Sequence, residues 1–177
     1  MSWSRAVIVL AACIASPSSA QEIPAVALSP GEAVTVRFDD GGRVGEPERG
    51  AASWSSFDIY AARQLAGMTP PEAPVREGIL MEGVEGVAPD PIPASEVRIR
   101  FLSIMDRHAL LVVENGRDRA LAYRARMTVD GTTRHTDVCV VLPRLPSYEH
   151  WPHPIERIEL TEFRFIAWAP ARAPTCE

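Results

Sequence analysis

Leu121-Ala122-Tyr123-Arg124-Ala125-Arg126-Met127-Thr128-Val129 is the clearest structural pattern in the chain. Leu121, Tyr123, Ala125, Met127 and Val129 fall at every second position, with polar or small residues between them. That is the period of a strand buried on one face. Asn115-Gly116 precedes this segment and Asp130-Gly131 follows it, and both dipeptides accept the positive φ angles of tight hairpin turns. Ala109 to Glu114 and Val138 to Leu142 are apolar and β-branched. The pattern therefore predicts three strands joined by two hairpins, an antiparallel meander.

Further strands are expected at Ala33 to Phe38, at Val97 to Leu102 and across Ile155 to Trp168. In the last of these, Ile158 and Leu160 alternate in step while Phe163 and Phe165 are out of phase with them, so a bulge near Thr161-Glu162 would re-aim the side chains. Ser55, with Asp58 three residues on, resembles a capping box with aspartate in place of glutamate. The residues from Ala61 to Ala66 favour a helix, and Gly67 and Pro70 end it. Residues 70–93 are rich in proline and glycine and read as an extended loop, with Ile79-Leu80-Met81 as a short edge strand inside it. There is no internal repeat.

The address is written at the N-terminus. Residues 1–20 carry one positive charge at Arg5, an apolar run from Ala6 to Ala15, then Pro17 and the small residues Ser18-Ser19-Ala20, the layout of a cleavable secretion signal. The apolar run of about ten residues is well short of the roughly 20 that span a bilayer. Within the same stretch Leu10-Ala11-Ala12-Cys13 resembles a lipobox, the competing reading, in which the protein is a lipoprotein anchored at Cys13. Cleavage after Ala20 leaves residues 21–177, enough for one domain with a real core, and two cysteines, Cys139 and Cys176. An even pair in an oxidising compartment implies a disulfide. It would stabilise the fold by on the order of 4 kcal/mol in the chain-entropy model.

These features fit a mainly β chain with one short helix, folded as an antiparallel β-sandwich of the immunoglobulin-like kind or as a partly open barrel. The cysteine spacing departs from that of a true immunoglobulin domain, since Cys176 sits at the chain end and would staple the tail onto the segment bearing Cys139. A sandwich does not by itself imply a function.

All 18 basic residues are arginine, against 23 acids, for a net charge of −5. An acidic chain of this kind is not a general nucleic-acid binder. Charge is uneven, with residues 98–134 forming a basic island of 8 arginines and 4 acids. Arg98 and Arg100, and likewise Arg124 and Arg126, stand at spacing two on the polar faces of their strands. If those strands were neighbours, the four would form an anion-binding patch for an envelope protein or an anionic envelope polymer. Their pairing with acids of the chain itself, around Glu72 to Glu85, is the simpler expectation.

Tyr148-Glu149-His150-Trp151-Pro152-His153-Pro154 is the second distinctive segment. His150 and His153, with His135, Asp137 or Glu149 close in space, have the residue types to hold zinc or copper. The simpler reading makes Trp151 and Tyr148 plugs at one end of the sheets. Neighbouring Glu149 and His150 would point apart on an extended segment, so they make no acid-base pair. Gly-x-Ser-x-Gly and His-Glu-x-x-His are both absent. The sequence thus predicts a non-enzymatic binding or accessory module of the periplasm or exterior with no cofactor, the alternative being a metal protein or metal-dependent enzyme.

Overall fold

Two antiparallel sheets share the core of this protein. The computed structural model describes residues 23–67, 90–169 and 175–176. Residues 1–22, with Cys13 and the expected secretion signal, and most of the proline-rich loop, including the expected edge strand at 79–81 and the acids at 72–85, lie outside the described residues. In chain order the elements are β1 (Val26–Leu28), β2 (Glu32–Arg37), β3 (Glu48–Ala51), α1 (Ser56–Leu65), β4 (Glu96–Ile104), β5 (His108–Asn115), β6 (Ala120–Val129), β7 (Thr132–Thr136), β8 (Pro146–Trp151) and β9 (Arg157–Ile166). One sheet has four strands in the order β1-β9-β6-β7, and the other has five in the order β3-β2-β4-β5-β8.

Alternation dictates what each face buries. Val34 and Val36 of β2, Ile99 and Phe101 of β4 and Leu111 and Val113 of β5 point inward. There they meet Leu121, Tyr123, Ala125 and Met127 of β6 and Ile158 and Leu160 of β9 in one apolar cluster. Burying that apolar surface is the main force holding the sheets together. The opposite face of the five-stranded sheet is also apolar at one end. There Leu102, Ile104, Leu110 and Val112 pack with Ala62, Leu65 and Tyr148, so α1 lies over the sheet. Among the described residues, no helix is long and apolar enough to cross a membrane.

The meander predicted from the sequence is not what forms. β5 pairs with β4 and β8, while β6 pairs with β7 and β9, so Asn115-Gly116 carries the chain from one sheet to the other instead of closing a hairpin. Asn115 is fully buried. Its side-chain amide donates to Arg119 O at 2.8 Å and Leu142 O at 3.1 Å, and its carbonyl accepts from the Arg117 amide at 3.0 Å. A Cβ on Gly116 would lie 1.9 Å from Pro93 O, so glycine is required there for close backbone approach and not for a positive φ.

Asp130-Gly131 does close a hairpin, with φ of 49° and 70°, both positive as a type I′ turn requires. That turn returns the chain immediately, making Thr132–Thr136 the partner of β6 in place of Val138–Leu142. Among the described residues the apolar segment forms bridges in place of a ladder, Leu121 with Val141 and Cys139 with Cys176, and buries Val138 and Val141 in the core. The phase change in β9 is a bulge. Glu162 has φ 53°, and the β6–β9 register shifts between Ala122 and Arg124.

Cys139 and Cys176 form a disulfide. Thr175 O accepts the Val140 amide at 3.0 Å, so the bridge and a backbone bond together tie the tail to the segment after β7.

Candidate functional site

The outer face of the five-stranded sheet divides into an apolar end beneath α1 and a charged middle. The charged middle is built from α1, β4, β5 and β8. Ser55 caps α1, its hydroxyl accepting the Asp58 amide at 3.0 Å while the Asp58 carboxylate accepts the Ser55 amide at 2.7 Å. The box fixes Asp58 on the sheet-facing side of the helix, where it has no exposed surface. β4 presents Arg100 to it from below. The guanidinium reaches both carboxylate oxygens, with Nη2 to Oδ1 at 3.0 Å, and Nη1 also donates to Ser53 O at 2.8 Å. Tyr148 on β8 donates its hydroxyl to Asp58 at 3.1 Å. Glu114 on β5 lies 3.4 Å from Arg100 and 3.5 Å from Arg98, which sits directly across the strands from it.

Burial and pairing set the charges. Burial pushes the Asp58 carboxyl up, but the bonds from Arg100 and from the Ser55 amide outweigh it and hold the group below the usual carboxylate range. Burial raises Glu114, and the guanidiniums of Arg100 and Arg98 offset only part of that rise. Burial also raises the Tyr148 phenol, helped by the Asp58 carboxylate beside it, so it stays a donor. Arg100 Nε is buried without a hydrogen-bond partner among the described residues.

Next to this network lies a groove of about 420 Å³. Its bed is made of small residues, Ala33, Thr35 and Gly50; Arg98, Glu114 and Glu48 stand around it, and Ser53, Trp54 and Ser55 lead from it into the helix. Trp54 is a rare large apolar side chain left 38% exposed. Arg98, about a third exposed, is held only at the outer limit of hydrogen bonding, 3.4 Å from Glu96 and 3.5 Å from Glu114.

The four arginines of the basic island do not share a patch, because β4 and β6 belong to different sheets. Arg98 and Arg100 face the groove. Arg124 and Arg126 project from the far side of the four-stranded sheet, toward Glu162 at 3.1 Å and Glu159 at 3.7 Å. The histidines are also dispersed. His150 is on the outer face of β8, His135 is exposed on β7, and His153 lies in the turn after β8 with Nε2 buried and unpartnered among the described residues. Among the described residues no group of three or more His, Cys, Asp or Glu converges to hold a metal ion. Glu149 points the other way from His150, accepting the Cys139 amide at 2.7 Å, and burial raises its carboxyl.

His150 has a neighbour the sequence did not suggest. Its Nε2 lies 3.0 Å from Nδ1 of His108, the first residue of β5, with the two rings near parallel. The pairing of β5 with β8 creates this contact, and no spacing along the chain announces it. The same holds for Glu114 and Tyr148 around Asp58. A signal for that network existed, because an arginine on the apolar-flanked strand β4 needs a buried carboxylate, but the partner could not be named. No protein-family model, no curated protein and no solved structure matches the chain.

Proposed function

We infer that this chain is an exported, non-enzymatic binding module, a β-sandwich of the immunoglobulin-like kind whose ligand lies in the groove beside Arg98 and Trp54. The leader at residues 1–20 supports delivery to the periplasm or exterior; retention at Cys13 as a lipoprotein is the competing form. The observation that carries the binding role is the groove itself, about 420 Å³, within the range of small-molecule sites. It is lined by polar groups already held in place by a buried charge network. Around it Arg98 and Arg100 pair with Glu114, Glu48 pairs with Arg37, and the lining carries three carboxylates and three guanidiniums, which supports holding a ligand over turning one over. Because those charges balance, an uncharged polyhydroxyl ligand such as a neutral saccharide fits better than an anionic polymer. Arg98, Glu48 and Ser55 offer donors and acceptors to hydroxyls, and Trp54 offers an apolar ring for the C–H face of a sugar.

Gly50 provides the test. A Cβ there meets nothing within 4 Å, so a side chain can leave the strand at position 50, and Gly50→Trp is placed to fill the groove that this residue lines. Protein made with its own leader is expected in the exported fraction beginning at Gln21, and calorimetric titration against a panel of neutral oligosaccharides is expected to find a ligand that Gly50→Trp no longer binds. Binding unaffected by Gly50→Trp, or binding only to anionic polymers, overturns the reading.

A further inference from the structure

We propose that His108 and His150 form a two-nitrogen site for a divalent late transition-metal ion of square-planar preference, copper(II) above all. The site is separate from the groove and does not depend on it. Two features of the geometry point there. First, both imidazoles stand on neighbouring strands and not on loops. Ile104 pairs with His108 across β4–β5, and Leu110 pairs with His150 across β5–β8, so the histidines are diagonal neighbours on one face. The ladder on either side fixes their separation, the kind of rigid support a metal site needs.

Second, the bite is right for one geometry and wrong for another. His108 Nδ1 and His150 Nε2 are 3.0 Å apart. With metal–nitrogen bonds of about 2.0–2.1 Å, that separation would subtend about 95° at an ion once the rings turn out of the hydrogen bond that joins them. This is the cis angle of a square-planar or tetragonal ion and narrower than a tetrahedral one, so the pair suits copper(II) or nickel(II) better than zinc. Only one of the two facing nitrogens carries a proton in the neutral pair. When the ion enters, the donating ring moves that proton to its far nitrogen, both imidazoles remain neutral, and each gives a lone pair. A hollow of about 170 Å³ borders His108, lined also by Ser103, Asp106 and Pro154, and gives solvent access to that ring.

The experiment uses untagged full-length protein, titrated with copper(II) alone and followed by calorimetry and electron paramagnetic resonance. The expected result is one ion per chain with a tetragonal signal showing two equatorial nitrogens. His108→Gln and His150→Gln should each weaken binding by at least the roughly 10–100-fold that loss of even an outer-shell partner costs. His135→Gln and His153→Gln should leave binding unchanged. An unaltered melting temperature for the apo-forms of the two glutamine variants shows that they fold. If one of them does not, the nitrogen count in the other carries the test. Absence of stoichiometric copper binding, a signal that survives in both His108→Gln and His150→Gln, or loss on His153→Gln in their place overturns the proposal.

Discussion

Two Arg-x-Arg motifs with the same chemistry meet opposite fates in this protein. Arg98-Ile99-Arg100 on β4 and Arg124-Ala125-Arg126 on β6 each alternate arginine with a core residue, and each has a glutamate directly across the strands: Glu114 opposite Arg98, Glu159 opposite Arg126. On the four-stranded sheet the guanidiniums and carboxylates remain about half exposed. On the five-stranded sheet α1 settles over the face, and Arg100, Asp58 and Glu114 are buried. The strand pattern is equivalent. What differs is whether another element brings a carboxylate down onto the face. A polar residue facing outward from a sheet becomes structural only when something covers it.

Removing that cover's charge sharpens the contrast most. Asp58→Ala strips Arg100 of its bidentate partner inside the protein and also breaks the capping box. Loss of one member of a buried pair costs about 3–5 kcal/mol; the Ser55 hydroxyl still caps the helix, since the backbone amide it accepts at position 58 survives the change. Urea denaturation is expected to show a loss of this order, a large share of the roughly 5–15 kcal/mol that holds a domain folded. A loss under about 1 kcal/mol would mean that the buried network behaves like the exposed one and that the comparison fails.

The effect of pH separates the two members of the network. Asp58 is held low in the folded state, so its contribution is present above its unfolded pKa and is lost as pH falls through the folded one. Glu114 is raised by burial, so the folded state takes up its proton first. Its charge costs stability at neutral pH, and that cost is relieved as pH falls toward the usual glutamate range. Glu149, also raised by burial, acts in the same direction. Glu114 and Glu149 therefore raise the urea midpoint as pH falls toward the usual glutamate range. His150, held low by burial and by His108 beside it, works against them below the usual histidine range, and Asp58 lowers the midpoint in stronger acid. Glu114→Gln should flatten part of the rise and leave the acid-side fall in place. A Glu114→Gln midpoint whose dependence on pH matches that of the wild type contradicts this assignment.

What the sequence revealed and what it hid follow the same division. Local signals were legible. The capping box at Ser55 and Asp58, the turn at Asp130-Gly131 and the bulge at Glu162 all depend on residues a few positions apart, and the joining of Cys139 to Cys176 followed from setting Cys13 aside with the expected leader. Pairing between distant strands was not legible. Asn115-Gly116 has the composition of a hairpin turn, yet Gly116 serves a close approach to Pro93 and Asn115 anchors a passage between sheets. Val138–Leu142 is β-branched and apolar, yet it fills the core without joining a ladder, because the tight turn at Asp130 had already selected Thr132–Thr136. For the candidate site, Arg100 and His150 were both visible as residues of interest. Their partners, Asp58 and His108, lie 42 residues away in each case, and only the order β2-β4-β5-β8 and the docking of α1 bring them together. The periodicity of a strand identifies its faces but not its neighbours.

The smallest expected effect is on the open side. Glu159→Gln removes the carboxylate opposite Arg126, where the ions are 3.7 Å apart and each keeps at least 40% of its side-chain surface in solvent. Water screens such a pair, and holding two long side chains in one arrangement costs entropy, so exposed pairs contribute about 0–1 kcal/mol. Glutamine keeps the length and the packing of the stem, which leaves only the screened charge to lose. The urea midpoint should move by no more than that small range allows, and the change should shrink further in about 1 M salt, where the Debye length is about 3 Å. A loss approaching that of Asp58→Ala, and insensitive to salt, would show that Arg126 and Glu159 are shielded from water. The two sides of the protein would then handle their arginines alike.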